Sequence, residues 1–191
     1  MLKPNCQWND NPNFLFEVNG ESNSDYAKNI ENRHSVSGNT TMVCGAPVMM
    51  KSKMQPFVTL SSCEAELVSA TSNAQDMFFV MRILESMGLQ VRKPMILKID
   101  NKGSVDWINN WSVGGRTRHM DTRCHFLREL KELGLILPQW TSGAENPSDM
   151  FTKNLGGSPF QKHIETYCGR DGHMKAFSPR EGGRVGGEPK P

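Results

Sequence analysis

Four acidic residues, Asp25, Glu66, Asp100 and Asp149, are spread along the chain at places where folding could gather them. Gathered carboxylates act as general acids and bases or as oxygen ligands for hard cations. Each also has an ordinary explanation. Glu66 lies in the first turns of a predicted long helix and Asp149 in the first turn of a later one, where negative charge complements the helix dipole. Asp100 ends a predicted strand and Asp25 follows another, where Asp commonly makes a turn. Spacing alone does not separate chemistry from structure at any of the four. The five cysteines, at 6, 44, 63, 124 and 168, are odd in number, widely spaced and without a Cys-x-x-Cys pair. That pattern argues against a zinc site or disulfide framework and for reduced thiols inside a cell.

The elements that must position these acids follow from periodicity. Residues 14–18 alternate in part and predict a first strand; 40–44 and 48–52 predict two more, joined through Gly45-Ala46-Pro47. Ser61-Ser62-Cys63-Glu64 is a capping box that opens a long helix. Its stripe of Leu67, Ala70, Ala74, Met77, Met81 and Leu84 recurs at steps of three and four, and Gly88 supplies the stop. Residues 95–99 predict a buried strand, 103–111 a short helix, and 120–133 a firmer one carrying Phe126, Leu127, Leu130 and Leu133 on one side. A strand is predicted over 135–141. Asn146-Pro147 and Ser158-Pro159 each read as a helix start, the last helix running to Tyr167.

Strands and helices alternating after an initial meander predict an α/β domain with a five-stranded mixed sheet covered on both faces. The domain is expected over 14–168, between a flexible leader, 1–13, and a disordered tail, 169–191, that holds six glycines and three prolines. No run of 18 apolar residues and no signal-peptide core is present, so no membrane partner is expected. Net charge is only +2, yet basic residues bunch at Lys51 with Lys53 and again at Arg116, Arg118, Arg123 and Arg128. Interspersed Asp121 and Glu129 also suit a solvated helix face.

An ordered series of short words adds a family to this reading. They are Arg33-x-Ser35-x-Ser37-Gly38, Leu60-Ser61-Ser62-x-Glu64-Ala65-Glu66, Ile99-Asp100-Asn101-Lys102, Arg116-Thr117-Arg118-His119-x-Asp121-x-Arg123, His125-Phe126-x-Arg128-Glu129 and Ser148-Asp149-x-x-Thr152-Lys153. The series, from about residue 16 to 167, resembles the ribonuclease H domain of copia-type LTR retrotransposon Pol polyproteins, and the chain looks like a terminal fragment of one. The resemblance implies the ribonuclease H-like fold and hydrolysis of the RNA strand of RNA–DNA hybrids with two Mg²⁺ ions, Mn²⁺ being a possible substitute. It further implies four carboxylates holding those ions, with Glu66, Asp100 and Asp149 on three of the four positions. Paired ions activate a water and stabilise the leaving oxygen, which requires concentrated negative charge. His119 is implied as an aid to proton transfer or product release, an exposed His being the alternative. Lys51, Arg116 and Arg118 are candidate phosphate contacts. The implied partners are an RNA–DNA hybrid and the reverse transcriptase of the parent element, with no small-molecule substrate. The implied setting is intracellular and cytoplasmic, in a virus-like particle if the element is active.

One position departs from the family. Where the family reads Tyr-Ser-Asp-Ala-Asp-Trp-Ala, with the first Asp catalytic, this chain reads Glu21-Ser22-Asn23-Ser24-Asp25-Tyr26-Ala27. The ungapped distance to Arg33 places Asn23, not Asp25, at the first ligand position. Asn keeps one oxygen but removes a full negative charge from the metal site. A weakened hydrolase is therefore expected, with a non-catalytic module of the same fold, binding nucleic acid or packing on a reverse transcriptase, as the alternative. Asp25 could take over only through a two-residue slip of the strand.

Overall fold

The computed structural model describes residues 13–110 and 118–168. The expected tail, nearly all of the expected leader and Arg116 lie outside them, as do the side chains of Arg118 and His119.

Five strands form the main sheet: β2 (Val18–Asp25), β3 (Val36–Val43), β4 (Ala46–Met54), β6 (Met95–Ile99) and β7 (Ile136–Trp140), in the order β4-β3-β2-β6-β7. The first three run antiparallel as a meander, while β6 and β7 add in parallel. A two-residue strand β1 (Leu15–Phe16) pairs separately with β5 (Gln90–Val91). Helix α1 (Ser62–Ser86) crosses one face of β2 and β3; α2 (Lys102–Asn109) and α3 (Arg118–Glu132) pack beside it. The 3-10 turn Pro147–Phe151 and α4 (Gly157–Cys168) cover the other face. This is the expected α/β arrangement, a five-stranded mixed sheet with helices on both faces.

Local chemistry explains α1. The Ser61 side chain caps it by accepting from the Glu64 N–H at 3.1 Å, and Glu64 Oε2 accepts from the Leu60 N–H at 2.6 Å. The box thus closes one residue earlier than the usual return to the cap itself. Gly88 ends the helix at φ +79°. Leu67, Ala70, Ala74 and Met77 are buried against Val18, Leu97 and Ile99 of the sheet, forming the apolar core.

Several expectations need correction. The strand expected over 14–18 is the two-residue β1 outside the main sheet; the first strand of the main sheet is Val18–Asp25, so Asp25 ends that strand rather than following it. Its stretch Asn19–Ser24 is polar and reads as loop in isolation; partners on both sides and on both faces make it a central strand. Leu133, expected inside, is 63% exposed at the end of α3. The segment begun by Asn146-Pro147 is a single 3-10 turn rather than an α-helix, and Ser158 falls inside α4 instead of capping it. Cys44 is disulfide-bonded, against the expectation of reduced thiols, whereas Cys63 and Cys124 are in no disulfide. Bridging depends on approach in space, which spacing along the chain does not report.

Candidate active site

Strand β2 carries the site at its C-terminal end, next to the end of β6, where Ser22 lies opposite Ile99. Successive strand residues face opposite sides of the sheet, so Asn23 and Ser24 look toward different helical layers. Ser24 faces α1: its N–H and its hydroxyl both donate to Glu66 Oε1, each at 2.8 Å. Asn23 faces the 3-10 turn. Its amide donates to Asp149 Oδ1 at 2.6 Å and to Thr152 Oγ1 at 2.9 Å.

The turn is held there by its own sequence. Asn146 caps it, accepting from the Ser148 N–H at 3.1 Å and donating to the Ser22 carbonyl at 2.8 Å. Ser148 donates to the Glu21 carbonyl at 2.6 Å. Gly38 lets the turn approach: a Cβ there would stand 2.7 Å from the Ser148 carbonyl oxygen and from a Thr152 methyl. Asp100 follows β6, with its carbonyl accepting from the exposed Trp140 indole at 3.1 Å.

Electrostatics tie these groups together. Burial raises the Glu66 carboxyl to about 8, with the nearby charge of Asp100 adding to the effect. Asp100 is also raised, first by burial and then by Asp149, against a lowering from Lys153. The Lys153 ammonium lies 2.5 Å from Asp149 Oδ1 and is held charged by Asp149, Asp100 and Asp25 against the opposing cost of burial. Glu66, Asp100 and Asp149 therefore share one electrostatic neighbourhood, and a lysine sits in it. Asp25 pairs with Val36 across the sheet and with Lys28 at 3.1 Å, and its charge also acts on Lys153.

Two residues absent from the expected site belong to it. Lys153 was visible four residues after Asp149, the spacing of a helical ion pair. Lys28 bridges Asp25 and the Thr152 carbonyl, tying the end of β2 to the 3-10 turn; nothing in its local sequence signals this. Lys51 forms an ion pair with Asp76 at 2.5 Å.

A divalent cation was tested against these donors. Glu66 Oε2 and Asn23 Oδ1 are buried and have no hydrogen-bond partner, which is the donor type a hard cation requires. Among the described residues, however, no three His, Cys, Asp or Glu side chains are grouped as a ready-made metal site. The oxygens fit such an ion in kind. Asp149 Oδ1 is engaged by Lys153 and by the Asn23 amide.

Over 144 residues, 75% of this chain, the sequence is 32% identical to the retrovirus-related Pol polyprotein from transposon TNT 1-94 of Nicotiana tabacum. This chain is a relative of the transposon Pol polyproteins. It is also 26% identical over 140 residues to the Pol polyproteins from transposons RE1 and RE2 of Arabidopsis thaliana. It spans only 10–11% of the length of these relatives. No family model matches. Two solved structures show looser likeness. The N-terminal RNase H domain of rv2228c from Mycobacterium tuberculosis, fused to maltose binding protein, is 11% identical with a TM-score of 0.48, covering 78% of this chain and 97% of that one. Prototype Foamy Virus Protease-Reverse Transcriptase is 10% identical with a TM-score of 0.41, over 75% of this chain and 19% of that one. No helix among the described residues is long and apolar enough to cross a membrane.

Proposed function

We propose that this ribonuclease H-like domain binds RNA–DNA hybrids alongside the reverse transcriptase of its parent element and slowly hydrolyses the RNA strand with Mg²⁺. The supporting observation is the contact between Asn23 and Asp149, made where the family resemblance calls for two carboxylates. Glu66, Asp100 and Asp149 would hold the metal, with Asn23 Oδ1 as a neutral fourth oxygen. Bound Mg²⁺ supplies an activated water and stabilises the leaving oxygen.

The chain's own groups set the rate. Glu66 must release the proton that its burial favours. Lys153 must leave Asp149, and the Asn23 amide holds Asp149 Oδ1 without adding charge. Lys51, Arg116 and Arg118 are proposed phosphate contacts, so hybrid affinity should fall with salt.

The second reading is a non-catalytic module of the same fold. It is favoured by Asp149 Oδ1 already accepting from both an amide and an ammonium. Cleavage of one labelled hybrid, with Mg²⁺ or Mn²⁺, separates the two. Slow cleavage by the wild type, faster cleavage by Asn23→Asp and none by Glu66→Gln support hydrolysis. An Asn23→Asp variant that binds hybrid yet cleaves no better than Glu66→Gln supports the non-catalytic module.

A further inference from the structure

Three large apolar side chains stand in solvent on the outer flank of α1. Phe79, Ile83 and Met87 are 57%, 43% and 67% exposed. They recur at steps of four, so they form one stripe about 12 Å long toward the C-terminal end of the helix. Their neighbours Phe78 and Leu84 pack against the core instead. Exposed apolar residues scattered singly are ordinary, whereas a contiguous apolar patch marks a surface that something covers.

The fold brings one segment of the chain to this stripe. Helix α1 closes on Met87 and Gly88, and β5 follows at once. Strand β1 pairs with β5 in parallel, Leu15 beside Gln90 and Phe16 beside Val91, and the Arg92 N–H donates to the Phe16 carbonyl at 2.9 Å. A parallel register counts backward one for one, so residue 13 comes level with Gly88 and residue 12 with Met87. The rings of Phe14 and Phe16, 5.0 Å apart, share one side of this segment, as residues two apart on an extended chain do. The chain before residue 13 therefore joins the domain beside the end of the stripe. Segment 1–12 carries a single aromatic side chain, Trp8, four residues before position 12. Four extended residues reach about 13 Å, which matches the length of the stripe.

Two other occupants fit less well. A standard protein interface buries about 800 Å² on each partner, whereas three side chains suit one indole, which buries roughly 150–250 Å². The segment after Cys168 begins on the wrong side of the sheet. Tyr167 meets Thr40 Oγ1 at 3.0 Å, and Ser148 of the 3-10 turn meets the same oxygen, on the face opposite α1.

We propose that segment 1–12 docks on the outer flank of α1, with the Trp8 indole covering Phe79, Ile83 and Met87. The leader expected to be flexible is then part of the folded domain. The contact involves neither the acidic centre nor nucleic acid, so it stands apart from the proposed function.

The test uses the full chain. NOEs should connect the Trp8 indole to the Ile83 and Met87 methyl groups. Chymotrypsin, with the product identified by mass, should cut after Trp8 at least about tenfold more slowly in the wild type than in Ile83→Ser, a factor that burial of one large side chain supplies. Cutting at internal sites should not change, because Ile83 lies outside the core. Trp8→Ala and Ile83→Ser should each lower the urea midpoint, and the double variant should lose less than the sum of the two. Equal cutting rates, strictly additive midpoint losses, or NOEs from Trp8 to other residues alone would each overturn the proposal. A dimer in sedimentation that Ile83→Ser abolishes and Trp8→Ala leaves intact would overturn it too, and would assign the stripe to a second copy of the chain.

Discussion

On the α1 face of β2, Glu66 is buried, receives two hydrogen bonds on one oxygen and leaves the other without a partner. On the opposite face, Asp149 Oδ1 receives both the Asn23 amide and the Lys153 ammonium. Adjacent strand residues, Ser24 and Asn23, create these two environments. The first is buried, and that burial, with the charge of Asp100 adding to it, pushes its carboxyl up to about 8. The second is compensated by side chains alone. The difference teaches that the Asn23 amide serves the Asp149 side of the sheet only, while the Glu66 side still presents an unpartnered oxygen.

The largest effect should come from restoring symmetry. Asn23→Asp puts a second negative charge against Asp149, and we expect hybrid cleavage with Mg²⁺ to rise roughly 10²–10³-fold, equivalent to about 3–4 kcal/mol of barrier. Asp25→Asn should leave the rate unchanged, since Asp25 is engaged with Lys28. Strong wild-type cleavage lost in Asp25→Asn would instead make Asp25 the ligand.

Next in size is the spacing of the Asp149 side. Gly38→Ala drives a methyl into backbone and side chains of the 3-10 turn, and overpacking of this kind costs about 1–3 kcal/mol. Gly20→Ala meets chiefly the Met77 sulfur, a flexible group that can yield, so its cost should be smaller. Urea midpoints compare the two; an equal or reversed order would show that the turn is not rigidly seated.

The Glu66 side is probed by pH. A carboxyl raised from 4.5 to about 8 binds its proton more tightly in the folded chain. The stability this contributes is fully present below about pH 4.5 and is lost as pH rises through 8. In EDTA, wild-type stability should therefore decline between pH 5 and pH 8, and Glu66→Gln should decline less. Parallel curves would remove Glu66 as the source. The smallest effect is expected at Lys153→Met. Its side chain is 42% exposed and the Asn23 amide remains on Asp149, so the loss of stability should be about 1 kcal/mol or less. A loss of several kcal/mol would mean that Lys153, rather than Asn23, holds the Asp149 side together.

Much of this architecture was legible in the residues themselves. The α1 stripe, its Ser61 cap and Gly88 stop, the strand Met95–Ile99 and the cap at Asn146 all depend on neighbours within a few positions, and such signals survive without a fold. The ungapped count to Arg33 singled out Asn23, whose amide donates to Asp149 Oδ1. What only the tertiary structure decided is the polar strand Val18–Asp25. Asn19, Glu21, Ser22, Asn23 and Ser24 lack apolar alternation, and their burial depends on partners 40 to 130 residues away, among them Glu66, Lys98 and Asp149. The reach of Lys28 to Thr152 and the orphaned Gln55 oxygen arise the same way. Each is a hydrogen-bonding demand created when distant segments meet, and no local pattern of residue types records it.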